Sequence, residues 1–188
     1  MDVMVADTSM LMNLKRGGLL EQCLSLPLTF RMPDLLYRSI LQNREAGSGF
    51  AESLLSLGLE VVELSGEDVG RAIRFRREHR SLTLPDSLAL ASRRRRTLLS
   101  DDFALKALAR QLKVTFRGVL WLIEQTHWKG VASRAAIASG LEAIRAHPRS
   151  GLPDKEIAGS WTATPKDDQE SCGKDFASID RTRLKDPS

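Results

Sequence analysis

Val3-Met4-Val5-Ala6-Asp7-Thr8-Ser9-Met10-Leu11-Met12-Asn13-Leu14 is the stretch from which the fold is read. A short apolar run ends at an acid, which predicts a buried strand over Val3–Ala6 that turns at Asp7. A helix over Met10–Leu14 follows, for which Asp7 is a candidate N-cap. Further strands are predicted at Leu28–Met32, Leu59–Leu64, Thr97–Ser100 and Val114–Phe116. Helical spacing of apolar residues occupies Glu67–His79, Leu84–Arg95, Phe103–Leu112, Gly118–Thr126 and Ser133–Ala146. Ser65, three residues before Asp68, has the spacing of a capping box for the first of these. Strands alternating with helices pair in parallel through right-handed crossovers, so the expected class is α/β, with a parallel sheet of about five strands covered by helices on both faces.

The chain has 188 residues, 42% hydrophobic and 28% charged, values that exclude a wholly disordered or fibrous protein. No apolar run reaches the roughly 18 residues of a membrane span, and Asp2 and Asp7 stand where a signal peptide needs cations. Only Cys23 and Cys172 occur, so no disulfide framework can be drawn; a cytoplasmic protein without membrane attachment is expected. The net charge is +4, and residues 160–188 carry five cations against six anions, so the basic excess lies upstream of them. Beyond Gly159 the chain is rich in Ser, Thr, Asp, Lys and Pro, too polar to offset its ordering entropy by burial. The expected organisation is a folded domain over 1–158 and a disordered tail over 159–188, with Gly47-Ser48-Gly49 as a loop or helix break.

In an open parallel sheet, ligands bind outside the carboxyl ends of the strands. Asp7 follows the first strand, Asp101 and Asp102 follow Thr97–Ser100, and Asp86 stands beside Pro85 at the start of a helix. Carboxylates gathered in one cleft repel each other, and a hard divalent cation such as Mg²⁺ or Mn²⁺ relieves that repulsion. Each acid also has a purely structural role open to it. Asp7 and one of Asp101 and Asp102 have the position of helix caps, and Asp86 that of a first-turn anion.

At these residues the sequence resembles the PIN-domain nucleases, VapC-like toxin ribonucleases among them. Val5–Leu14 resembles their opening strand and helix; Leu84–Ala91 followed by Thr97–Leu105 resembles their central signature, and Val114–Leu122 their last strand and glycine turn. The resemblance covers residues 1–158 and implies a three-layer PIN-like fold and a metal-dependent, single-strand-directed endoribonuclease, commonly the toxin of a toxin–antitoxin pair. It implies Asp7, Asp86 and Asp102 as catalytic, metal-binding acids, with Asp101 a further candidate metal ligand. Metal-activated water would hydrolyse the phosphodiester. Thr8, Ser100, Arg80, Arg96 and Lys106 are candidate substrate contacts. The family's helix-borne glutamate falls on Ser39, with Asp34 and Glu45 as candidate replacements; Asp34 also has the position of an N-cap.

Expected partners are single-stranded or structured RNA, a small antitoxin protein and a second copy of the chain. Leu11, Met12, Leu14, Leu19, Leu20 and Leu24, and separately Trp121 and Trp128, are either core or partner faces. Arg93–Arg96 and the arginines of 71–80 fit an RNA track or a solvated surface, and no aromatic ladder for base stacking is visible. Two other functions compete. A PIN-like domain impaired by Ser39 would act by binding RNA or protein. A phosphotransfer domain using Asp7 as acceptor would want a second Asp two residues on, where Ser9 stands.

Overall fold

The computed structural model describes residues 3–80, 82, 96–148 and 150. The sheet has five strands, all parallel, in the order β3-β2-β1-β4-β5: β1 Val3–Ala6, β2 Thr29–Pro33, β3 Glu60–Val62, β4 Thr97–Leu99 and β5 Phe116–Arg117. The described helices are α1 Thr8–Arg16, α2 Leu20–Leu24, α3 Asp34–Gln42, α4 Phe50–Ser56, α5 Gly66–Glu78, α6 Phe103–Gln111, α7 Val119–Trp128 and α8 Arg134–Ala146, with a 3₁₀ turn at Arg44–Ala46. The α/β class and the covered parallel sheet expected from the sequence are therefore present.

The central strands explain the apolar runs. Met4, Val5 and Ala6 of β1 and Leu98 and Leu99 of β4 are buried between helix layers, so they need no polar alternation. Leu11, Met12, Leu14, Leu19 and Leu24 are buried in the same core and Leu20 packs against it, so packing alone accounts for the apolar N-terminal set. Trp121 and Trp128 share α7; Trp121 packs against the core and Trp128 is exposed. Ser65 caps α5 by accepting a hydrogen bond from the Asp68 amide at 3.2 Å. Gly17, just past α1, and Gly140 of α8 let the chain and α8 touch: a Cβ on Gly140 would lie 2.6 Å from the Gly17 carbonyl oxygen.

Three expectations are corrected in detail. The last strand is Phe116–Arg117, not Val114–Phe116, because the Val114 amide closes α6 on the Ala109 carbonyl after Lys113 turns through φ 53°. Asp34 is not an N-cap: Pro33 holds that position, and Asp34 is the first helical residue, 3.4 Å from Arg38 one turn on. Helices α2 and α4 add to the expected set, α4 beginning directly after the predicted break at Gly47–Gly49. The predicted helix Leu84–Arg95 with Asp86, Cys172 and the tail 159–188 all lie outside the described residues. Among the described residues no helix is long and apolar enough to cross a membrane.

Candidate active site at the carboxyl ends of β1 and β4

β1 is paired with β2 on one side and β4 on the other, and the chain reverses its direction of winding there. This is the topological switch point, where the loops leaving neighbouring strands part and open a crevice. Ala6 is in register with Leu99, and the Asp7 amide donates to the Leu99 carbonyl at 3.2 Å. Asp7 and Ser100 therefore leave the sheet side by side, and Asp101 follows one residue later.

The Asp7 carboxylate is 3% exposed. One oxygen accepts from the Met10 amide at 2.8 Å and the Ser9 hydroxyl at 2.9 Å, and the other accepts from the Ser100 hydroxyl. Burial pushes this carboxyl up to about 7, against the pull of the Ser100, Met10 and Ser9 hydrogen bonds, and the charge of Asp101 pushes it the same way as burial. Asp7 is thus the N-cap of α1 and, among the described residues, the most deeply buried acid at the switch point.

Ser100, fully buried, connects this acid to the next element. Its hydroxyl donates to Asp7 while its oxygen accepts the Asp102 amide at 3.1 Å. Ser100, a candidate substrate contact, thus holds Asp7 in place through its hydroxyl. Asp102 caps α6, accepting from the Leu105 amide at 2.7 Å. The acid whose charge acts on Asp7 is Asp101. Its Oδ1 accepts from the Val119 amide at 2.9 Å, at the start of α7. Gly118 makes this approach feasible, since a Cβ there would lie 2.8 Å from that oxygen. The dependence on Gly118 links two loops distant in sequence, and the Gly-Val pair after a short strand was its one available signal.

The other expected residues are spread more widely. Thr8 follows Asp7, and its buried Oγ1 has no hydrogen-bond partner among the described residues. Lys106 lies in the first turns of α6, its Nζ 5.9 Å from the Phe116 ring centroid. Arg80 is exposed beyond α5 and, with Ile73, Arg76 and Arg77, lines a shallow cleft. Arg96 precedes β4 and so stands at the amino edge of the sheet, about 13 Å of extended chain from Ser100. That placement separates it from the crevice.

Ser39, on which the family's glutamate falls, donates its hydroxyl to the Leu36 carbonyl of its own helix at 2.6 Å, and Asp34 begins that helix at the end of β2. Glu45 is held by Arg16, with His147 3.7 Å away. Arg16 closes the nine-residue α1, about 13 Å along the axis from Asp7, so Glu45 belongs to the far end of that helix. Among the described residues, no three acid, histidine or cysteine side chains converge closely enough to hold a metal ion. Among the described residues, Asp101 is the acid whose charge acts on Asp7. Hard oxygen donors of this kind fit Mg²⁺, which is commonly held by one or two carboxylates and keeps several waters.

The architecture and the acids at its switch point define an α/β domain of the carboxylate-bearing type. The family model described as DUF3368: PIN domain matches residues 3–152, and the chain belongs to this PIN-domain family. Among solved structures, a toxin–antitoxin complex from Klebsiella pneumoniae is similar at 20% sequence identity and a TM-score of 0.42, covering 52% of this chain and 85% of that one. No curated protein sequence matches the chain.

Proposed function

We propose that this PIN-domain protein is a Mg²⁺- or Mn²⁺-dependent endoribonuclease that hydrolyses phosphodiester bonds in single-stranded RNA. The observation that carries the reading is the buried Asp7 carboxylate at the switch point with the charge of Asp101 beside it. A site that keeps two acids together, one of them desolvated, favours a cation over an empty pocket. When bound, a divalent ion supplies the Lewis acidity that activates water and steadies charge on the phosphoryl group.

The protein's own part is to hold the acids still. Ser9, Met10 and Ser100 fix both Asp7 oxygens, and the Val119 amide fixes one oxygen of Asp101. Asp86 is the third acid of this reading, on the strength of its match to the family signature. Asp102 is proposed to act through its cap on α6 as well as through any share in the metal. Lys106 and Arg80 supply positive charge for phosphates, and Thr8 a hydroxyl at the Asp7 turn. The biological role that accompanies this reading is that of a toxin whose activity a small antitoxin protein restrains.

The test compares wild type with D86N, D101N and D102N on a single-stranded RNA, with Mn²⁺ or with EDTA. Metal-dependent cleavage lost in D86N and D101N is expected; cleavage by these variants equal to that of wild type overturns the reading. Ser39 bonded to its own helix, with no acid in its place, favours a second reading. In that reading the domain binds RNA without cutting it, and chelator-resistant binding with no cleavage in Mn²⁺ would establish it.

A further inference from the structure

The most exposed large apolar side chain among the described residues is Phe103, at 83%. It is the first residue of α6 and follows Asp101 and Asp102 directly. Its position is fixed from both sides, by Asp102 capping the helix and by Leu105, two residues on, which is fully buried. Cα–Cβ bonds in a helix tilt toward its N-terminus, so the phenyl group leans toward the loop that carries Asp101. A phenyl ring left in water contributes nothing to the core and lowers helix propensity relative to Ala.

A second aromatic lies at the neighbouring helix start. Trp121 is in the first turn of α7, the helix whose Val119 amide holds Asp101, and the Arg117 guanidinium sits 5.4 Å from its ring centroid. Lys106 is one turn along α6 from Phe103. An exposed ring, a ring paired with a cation, and a lysine thus lie in the first turns of the two helices that begin beside Asp101. Sequence spacing hides the grouping, since Phe103 and Trp121 belong to different helices and no ladder connects them.

We propose that Phe103 is a base-stacking residue: it holds one nucleobase of a single-stranded RNA face to ring, so that the strand passes the loop that carries Asp101, with Arg117 and Lys106 neutralising the flanking backbone. This rests on the nuclease reading for the identity of the polymer. A single strand is the occupant this chemistry selects, because its base faces are open to an aromatic ring whereas a duplex hides them. Aromatic stacking is indifferent to base identity, so the residue sets strand type and register rather than sequence.

The test uses the full chain and an oligouridine. Binding is measured in EDTA, so it does not depend on cleavage. F103A is expected to weaken binding by about 5- to 150-fold, the range that loss of one stacked base represents, and F103Y to restore it. In F103W, the oligonucleotide is expected to quench indole fluorescence beyond the wild-type background, a signal that a structural role would not produce. With Mn²⁺, F103A is expected to raise KM more than it lowers kcat. Unchanged affinity in F103A together with no added quenching in F103W overturns the proposal, even where wild type cleaves RNA. Wild type that fails to cleave but binds through Phe103 overturns the nuclease reading and leaves the stacking role standing.

Discussion

Replacing Asp7 by Asn tests the electrostatic state of the site without using catalysis. In the metal-free folded protein burial holds the Asp7 carboxyl up to about 7, whereas in the unfolded chain it titrates near its ordinary 3.8. Between those values the folded state binds more protons than the unfolded state, so stability is lost as pH rises and is complete only below the lower value. The difference of about three pH units corresponds to at most about 4 kcal/mol. Asn is as good an N-cap as Asp and carries no titrating proton, so D7N should keep the fold and lose this pH dependence. The assay is urea denaturation of both proteins in EDTA at pH 4.5, 6 and 8. The stability of wild type minus that of D7N should fall by a few kcal/mol across the series. A difference that stays level, or rises with pH, would refute the placement of a desolvated carboxyl at this position.

At pH 8, Mn²⁺ should raise the urea midpoint of wild type and leave that of D7N nearly unchanged, as expected for a ligand that binds only the folded acid site. G118A should cost about 1–3 kcal/mol by driving a methyl group against Asp101, and D101A in the same chain should remove most of that cost in a double-mutant cycle. L14A, which empties a fully buried position on α1, should cost about 2–5 kcal/mol by thermal or urea unfolding. Cys23, fully buried and with its thiol pushed up to about 12, should escape alkylation at pH 8 until the protein is unfolded, as peptide mapping can show.

The strands were legible because β1, β2 and β4 are short apolar runs ending in turn or acidic residues, and Asp7 was legible because it ends the first of them. The switch point follows from strand order, which local sequence does not encode; only the parallel class could be argued from alternation. The different hydrogen-bond partners of Asp101 and Asp102 were hidden for a similar reason. Both follow the same strand, and what separates them is the Val119 amide, delivered by a loop 18 residues later. The strand predicted at Val114 slipped because Val and Thr suit a sheet, while the backbone there is spent on ending α6. Glu45 stood near enough in sequence to be considered, but its ion pair with Arg16 ties it to the other end of α1.

The contact between Gly17 and Gly140 bears on how this protein can change. α1 starts at the acid and stops at that contact, so the helix works as a strut whose two ends are both spoken for. Neither glycine can acquire a side chain without the strut shifting or α8 backing away. Mutational drift at two positions at the far end of α1 from Asp7 is thereby curbed by packing alone.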